Sequence, residues 1–312
     1  MAESVVEKIK KESNGLRGTL KESLLDEHTG AIRESDQALI KFHGMYMQDD
    51  RDRREERAAK KLERLYSYMI RLRLPGGLLS AQQWLALHEV SEQYSSPVIK
   101  ITTRQTIQLH GILKHDIKPT IKTFDTVKLD SIAACGDVNR NVIASAHPRF
   151  SVIHEEIFSY AEKLSKLLLP KTNAYYEIWL DKEKISPDRE KDELYQDRYF
   201  PRKFKIAIAI PPYNDVDVFA NDVAVIAIIE KNKLIGFNVG AGGGMGVTHG
   251  NESTYPRLAS ILGFVKKDEL LKTVYAIATV QRDFGDRNDR KLARLKYTID
   301  RMGIDAFKAE TE

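Results

Sequence analysis

With 312 residues, 30 % of them charged and 42 % hydrophobic, the chain is long enough for two domains and a sizeable core. The 49 basic residues are nearly balanced by 45 acidic ones, which argues against nucleic acid as a partner; no apolar run reaches the length of a membrane span, and the N-terminal MAESVVEKIKKESNG has no apolar signal core, so a cytoplasmic protein with no membrane contact is expected. The single cysteine, Cys135, excludes an internal disulfide framework and cannot alone supply four thiolates to an iron–sulfur cluster.

Residues 1–60 read as an N-terminal arm. They hold few large apolar residues in period, and the run from Gln48 to Arg57 is almost wholly charged, as solvated helix faces are. His43-Gly44 and Tyr46 are a less bland patch that could pack over a site.

A ferredoxin-like β-α-β-β-α-β domain is expected over residues 61–140. In 66–74 the residues Tyr66, Tyr68, Ile70, Leu72 and Leu74 alternate with Ser67, Met69, Arg71 and Arg73, the period of a half-buried strand. Pro75-Gly76-Gly77 then forces a turn, and Ser80 can cap a helix through Tyr94 with Trp84, Leu87 and Val90 on or near its inner stripe. The stretch Lys100 to Gly111, KITTRQTIQLHG, splits by alternation into two faces. Ile101, Ile107 and Leu109 lie on one; Lys100, Thr102, Arg104, Thr106, Gln108 and His110 lie on the other. Its length suggests two tightly joined strands, with one long strand as the alternative. A face of hydrogen-bonding and cationic groups suits a flat, many-oxygened anion; a solvated edge is the plainer reading. A helix at about Thr120–Val127, begun by Pro119, and a closing strand at Ile132–Ala134 complete the domain.

Gly136-Asp137-Val138-Asn139-Arg140-Asn141 forms a polar loop at the border of a second domain, 141–312. There a helix is expected over His154–Leu169, a strand over Ala174–Leu180 and a charged loop over Ser186–Asp197. In the strand at 203–210, Phe204, Ile206, Ile208 and Ile210 face the core. Lys203 and Lys205 share the other face above Ala207 and Ala209, and two adjacent ammonium groups repel unless an anion sits between them. A hairpin crosses Lys231-Asn232. It leads into Gly240-Ala241-Gly242-Gly243-Gly244-Met245-Gly246, which can present backbone N–H groups to a carboxylate or serve as a linker. Helices are expected near Tyr255–Leu262 and Lys267–Val280. They are followed by a basic helical segment beyond Arg287, with Arg290, Lys291, Arg294 and Lys296, that ends at Gly303.

Together these motifs carry a resemblance. Arg73-Leu74-Pro75-Gly76-Gly77, Thr102-x-Arg104-Gln105-x-x-Gln108-x-His110-Gly111, Asn139-Arg140-Asn141, Pro201-Arg202-Lys203-Phe204-Lys205, the glycine loop and, in the arm, His43-Gly44-x-Tyr46-x-Gln48-Asp49-Asp50-Arg51-Asp52 resemble the siroheme-dependent sulfite and nitrite reductase family over nearly the whole chain. The resemblance implies an α+β fold, with the ferredoxin-like domain followed by a mixed α/β siroheme-binding domain. It implies a six-electron reduction of sulfite to hydrogen sulfide on a siroheme iron bridged to a 4Fe-4S cluster. The electrons would come from NADPH through a flavoprotein (alpha) subunit, in sulfate assimilation. Arg73, Arg140, Lys203 and Lys205 match the family's four cationic substrate-binding residues. Siroheme's eight carboxylates are expected to engage Arg104, Gln108, His110, Asn141, Gly242, Gly243, Gly244, Arg287, Arg290 and Arg294. A lysine at 205 goes with sulfite, where plant-type nitrite reductases tend to carry asparagine.

One departure is evident: the family's four cluster cysteines lie in its second half, and Cys135 falls in the wrong segment, where a buried structural thiol is expected. The chain then corresponds to the first half of an internal duplication, and turnover is expected only with the second half. The competing readings are a non-catalytic half that binds a porphyrinoid or a partner chain, and a nitrite reductase relative.

Overall fold

The computed structural model describes residues 3–146, 151–183 and 192–312. Two sheets share one continuous apolar core that runs from Leu16 to Phe307. The first sheet has the order β1-β2-β4-β3, all antiparallel: β1 (Met45–Asp49), β2 (Tyr66–Arg71), β3 (Lys100–Ile101) and β4 (Ile107–Ile112). The helices Ala81–Tyr94 and Ile117–Thr126 accompany it. Ser80 caps the first of these in a capping box with Gln83, as its sequence dictates. The helix buries Leu87 and Val90 but leaves Trp84 46 % exposed, so Trp84 is not on the inner stripe. The second helix begins at Ile117, ahead of Pro119 rather than after it.

The arm differs most from expectation. Its segment Met45–Asp49 is the outer strand of the sheet, with Met45 opposite Ile70, and Leu16, Leu20, Leu39, Ile40 and Phe42 are buried in the common core. The closing strand expected at Ile132–Ala134 is instead a turn, with Ala133 at φ +59° and its N–H donated to Phe42 O at 2.8 Å. The arm therefore occupies the sheet edge, and the chain after Asp130 is free to lead into the polar loop. His43 locks this arrangement: buried, it donates from Nε2 to Leu16 O (2.9 Å) and accepts Trp179 Nε1–H on Nδ1 (2.9 Å). Burial pushes its pKa down to about 4, so it stays neutral and both ring nitrogens keep fixed roles.

The second sheet has the order β5-β6-β7-β8-β9: β5 (Ile143–Ala144), β6 (Ile206–Ala209), β7 (Val223–Glu230), β8 (Lys233–Ala241) and β9 (Ser260–Lys266). β5, β6 and β7 are mutually parallel, and β7, β8 and β9 are antiparallel. Helices Val152–Leu167 and Leu270–Phe284 cover it. The β7–β8 hairpin turns at Lys231-Asn232, both at positive φ, as the sequence indicated.

Three elements are reassigned. Ala174–Trp179 is a helix, not a strand: Ala174, Tyr175, Ile178 and Trp179 are buried, a spacing of one helical stripe that the aromatic and β-branched composition disguised. The helix expected near Tyr255–Leu262 is absent: 255–259 are irregular, and Ser260–Lys266 is a strand paired with the edge of β8. Residues 287–294 are irregular, so the basic helical segment is only Leu295–Met302, and a further helix, Ile304–Thr311, follows Gly303. The charged loop at Ser186–Asp197 lies partly outside the described residues, which resume at Asp192.

The sheets meet where the turn after β2 crosses the border loop. Gly76 N–H donates to Val142 O (2.9 Å), Arg140 N–H to Phe204 O (2.8 Å), and Asn139 bridges Phe204 in parallel register. This brings the β3–β4 turn, the end of β2 and the start of β6 around one cleft.

Candidate functional site

That cleft is a cavity of about 210 Å³ lined by Arg71, Thr102, Thr103, Arg104, Thr106, Ala134, Arg140, Asn141, Lys203 and Lys205. Five of its ten lining residues are cationic and none is acidic.

Lys203 and Lys205 stand on the segment entering β6, above the buried Ala207 and Ala209, as the alternation required. Neither ammonium has a hydrogen bond or ion pair among the described residues. Burial, then Arg140, Arg294 and Arg202, push the Lys203 pKa down to about 8 against the opposing Asp222. Burial, then Arg294 and Arg104, do the same to Lys205, also to about 8, with Asp222 again opposing. The site is electrostatically strained without an anion: each cation lowers the proton affinity of the next.

Arg140 is fixed by its own loop, donating from Nε to Gly136 O (2.9 Å) and from Nη1 to Ala134 O (3.3 Å). Arg104 clasps the hairpin to the second sheet. Its Nε and Nη2 donate to Asn141 O, Nη2 also to Ile206 O (2.9 Å), and Nη1 to Asn221 Oδ1 (2.8 Å). Burial takes its pKa down to about 9 against the opposing Asp222, with Arg140, Arg294 and Arg71 adding to the fall. Its charge thus bears on the cavity, while most of its N–H donors are spent on backbone carbonyls.

Arg73 does not reach this cavity. The chain leaves the sheet after Arg71, and Arg73 swings to a separate cleft of about 510 Å³. There it forks onto Asp130 and donates to Ser165 Oγ at 3.2 Å. Arg71, two residues earlier, takes the place expected of it. Arg71 donates to Cys135 Sγ (3.0 Å) and stands opposite Gln108, which in turn pairs with Lys100, giving a polar row across three strands. With the Gln108 amide oriented to satisfy both ends, Oε1 accepts from Arg71 Nε (2.9 Å) and Nε2 donates to His110 Nε2 (3.2 Å). His110 then donates from Nδ1 to Gln48 Oε1 (3.0 Å), a residue of the arm. Gln108 and His110 therefore line the face beside the cavity rather than the cavity itself. Alternation had already put Arg71 on that face; only the strand's end distinguishes it from Arg73.

The remaining expectations separate in the same way. Asn141 lines the cavity, but its side-chain amide is consumed: Oδ1 accepts Leu74 N–H (2.8 Å) and Nδ2 donates to Leu74 O (2.7 Å) and Arg104 O (2.9 Å). Arg287 is buried and clasps Glu7, Tyr199 O (2.8 Å) and Arg282 O (2.7 Å), so it holds the N-terminal helix rather than a ligand. Arg290 forks onto Asp137 at 2.8 and 3.0 Å, and Arg294 onto Asp222 at 2.9 Å.

The N–H groups of Gly242, Gly243 and Gly244 do not face a ligand. They donate to Asp222 O (2.8 Å), Asn221 O (3.0 Å) and Arg257 O (2.7 Å). The glycines are needed for close approach instead: a Cβ on Gly243 would fall 2.1 Å from Phe219 O and 2.5 Å from Asn221 O. Gly243→Ala is expected to cost about 1–3 kcal/mol, as overpacking against rigid backbone does, read as a lower urea midpoint at unchanged slope.

Cys135 is free and buried, and burial raises its pKa despite Arg140 and Arg71 nearby. Among the described residues no group of three or more His, Cys, Asp or Glu could hold a metal ion, and no helix is long and apolar enough to cross a membrane.

Fold and cleft together define an α+β protein with a polycationic cleft at the junction of two sheets. Residues 61–126 match the nitrite/sulfite reductase ferredoxin-like half domain, and residues 159–312 match the nitrite and sulphite reductase 4Fe-4S domain. Over 99 % of its length the chain is 63 % identical to the sulfite reductase [NADPH] hemoprotein beta-component of Leptospira biflexa, and 51 % identical to that of Bacillus subtilis. It covers 56 % and 54 % of those relatives, so it spans about half their length. The solved structure of the Mycobacterium tuberculosis NirA protein superposes with a TM-score of 0.74 at 25 % identity, covering all of this chain and 53 % of that one. A dissimilatory sulfite reductase I structure shares the fold at a TM-score of 0.60 and 13 % identity. The chain belongs to the nitrite and sulfite reductase family, a siroheme- and 4Fe-4S-dependent family.

Proposed function

We propose that this chain is the siroheme- and sulfite-binding portion of an assimilatory sulfite reductase, which reduces sulfite to hydrogen sulfide with electrons from NADPH through a flavoprotein partner. The observation that carries this reading is the cavity in which Arg71, Arg104, Arg140, Lys203 and Lys205 converge without a carboxylate among its lining residues. A dianion such as sulfite offsets part of that charge, and ammonium groups titrating near pH 8 can both bind an oxyanion and hand protons to oxygens leaving as water. The polar row of Lys100, Gln108 and Arg71 offers donors to the carboxylates of a large polyanionic macrocycle, so these residues fit siroheme. When bound, that group supplies the redox iron. A 4Fe-4S cluster does not fit this chain's residues: the sequence holds one cysteine, paired with Arg71. The cluster ligands are therefore assigned to the part of the relatives' length that this chain does not span. The names of the relatives favour sulfite over nitrite as the substrate.

The test is an absorption spectrum of the chain purified from cells making siroheme, with iron counted on the same sample. A Soret band with about one iron per chain supports the reading. A folded, colourless protein that also fails to bind sulfite would overturn it.

A further inference from the structure

Beside the cavity, and outside its lining, the dipeptide Asn221-Asp222 is bonded to Arg104, to Arg294 and to the glycine turn, and the residue after it to the segment that carries Lys205. Asn221 Oδ1 accepts from Arg104 Nη1 (2.8 Å), and Asn221 Nδ2 is itself fixed by donation to Asp217 O (2.9 Å). The backbone carbonyls of Asn221 and Asp222 accept the N–H groups of Gly243 (3.0 Å) and Gly242 (2.8 Å), which sets the glycine turn. The next residue, Val223, donates its N–H to Lys205 O (3.0 Å), pinning the lysine-bearing segment. The Asp222 carboxylate, 0 % exposed, takes the Arg294 guanidinium as a fork through Nε (3.1 Å) and Nη2 (2.9 Å).

A fully buried carboxylate is costly unless paired, and Arg294 alone would satisfy it. Its position does more: β6 and β7 run parallel with Ile206 opposite Val223, so Lys205 and Asp222, each one residue earlier, are neighbours across the two strands. Lys203, Lys205, Arg104 and Lys296 all feel its negative charge, while Arg294, Arg140, Arg202 and Arg71 act on one or more of them in the opposite sense. Arg294 is the fork's other half, and among charged neighbours it acts most strongly on Lys205.

Building on the anion-site reading, we propose that Asp222 is a positioning residue for that site: an internal counter-ion beside the lysine-bearing segment that withholds Arg294 from the cavity. An ordinary structural ion pair between β7 and the segment before the Leu295–Met302 helix would stabilise the fold without governing the lysines.

NMR of the 13C-lysine-labelled chain without added anion, titrated from about pH 6 to about pH 11, reads the two ammonium groups directly, with Lys203→Arg and Lys205→Arg for assignment. Asp222→Asn, which keeps shape but removes charge, is expected to lower both midpoints by about one pH unit. Arg294→Gln, which removes the opposing charge, should raise them, and Asp222→Glu should restore the parent values. If Asp222→Asn fails to fold by circular dichroism, the Arg294→Gln and Asp222→Glu titrations decide. Unchanged midpoints in a folded variant, or shifts of the same sign in Asp222→Asn and Arg294→Gln, would overturn the proposal. Inorganic sulfate added to the same samples separates the two readings. A parent that shows no sulfate response speaks against the anion site, while the expected lysine shifts still establish the role of Asp222.

Discussion

Asp137→Ala is expected to destabilise the chain by about 3–5 kcal/mol at neutral pH, the cost of stranding buried charges rather than the worth of one contact. Asp137 is 5 % exposed and accepts the Arg290 fork at 2.8 and 3.0 Å, with Lys10 Nζ 3.6 Å away. Lys10, itself 0 % exposed on its side chain, also pairs with Glu7 and donates to Phe200 O (2.8 Å), and Arg287 draws on the same Glu7. Without Asp137, one carboxylate faces three cations. Burial raises the Asp137 pKa, but the Arg290 hydrogen bonds and Lys10 outweigh it and the net shift is downward. A depressed carboxyl pKa contributes stability above its unfolded value and loses it as pH falls through the folded value. The difference between parent and variant should therefore be largest at neutral pH and shrink below about pH 4, read by urea unfolding across that range. A loss under about 1 kcal/mol that does not vary with pH would show that the network is replaceable. Asp137 belongs to the loop that carries Arg140, so the variant should also weaken anion binding.

The second large effect concerns the lysines. Charge reversal by Lys203→Glu or Arg140→Glu should weaken sulfite binding at least about 100-fold, the scale of breaking a desolvated charge pair, measured by calorimetry. In the parent, affinity should fall as pH rises through about 8, where Lys203 and Lys205 lose their protons. Stability should move the other way. Both groups are depressed below the ordinary lysine value, so from about pH 8 to about pH 10.5 the unfolded chain holds more protons than the folded one. Stability then rises with pH across that window as the cost of burying the two charges, and after it their repulsion by neighbouring cations, is relieved. Lys205→Met should flatten both trends, and an affinity that stays level through pH 8 to pH 9.5 in the parent would remove the lysines from anion binding.

Period-two and helical spacing, caps and turn residues determined much of this protein locally. The alternation in 203–210 placed Lys203 and Lys205 on the face opposite Ile206 and Ile208, and Ser80, Lys231 and Asn232 ended elements where expected. The motif spacing, read as a resemblance, led to the family that the comparisons show. These signals lie within a few residues of one another, so the chain's own stereochemistry carries them.

Tertiary structure decided what the residues face. Arg71 and Arg73 share a strand face by sequence, yet only the former enters the cavity, because β2 ends between them and Asp130 captures the latter. The arm's β1 displaced the strand expected at 132–134, since a sheet edge takes whichever segment packs its core face best. The glycine loop's N–H groups and the guanidinium groups of Arg287, Arg290 and Arg294 were claimed by carbonyls and carboxylates, mostly from segments distant in sequence. Asn221 and Asp222 gave no local signal, being one polar pair before a strand. A donor's partner is set by which chain segments converge, and that convergence is fixed by burial of the common core, not by the spacing of the donors themselves.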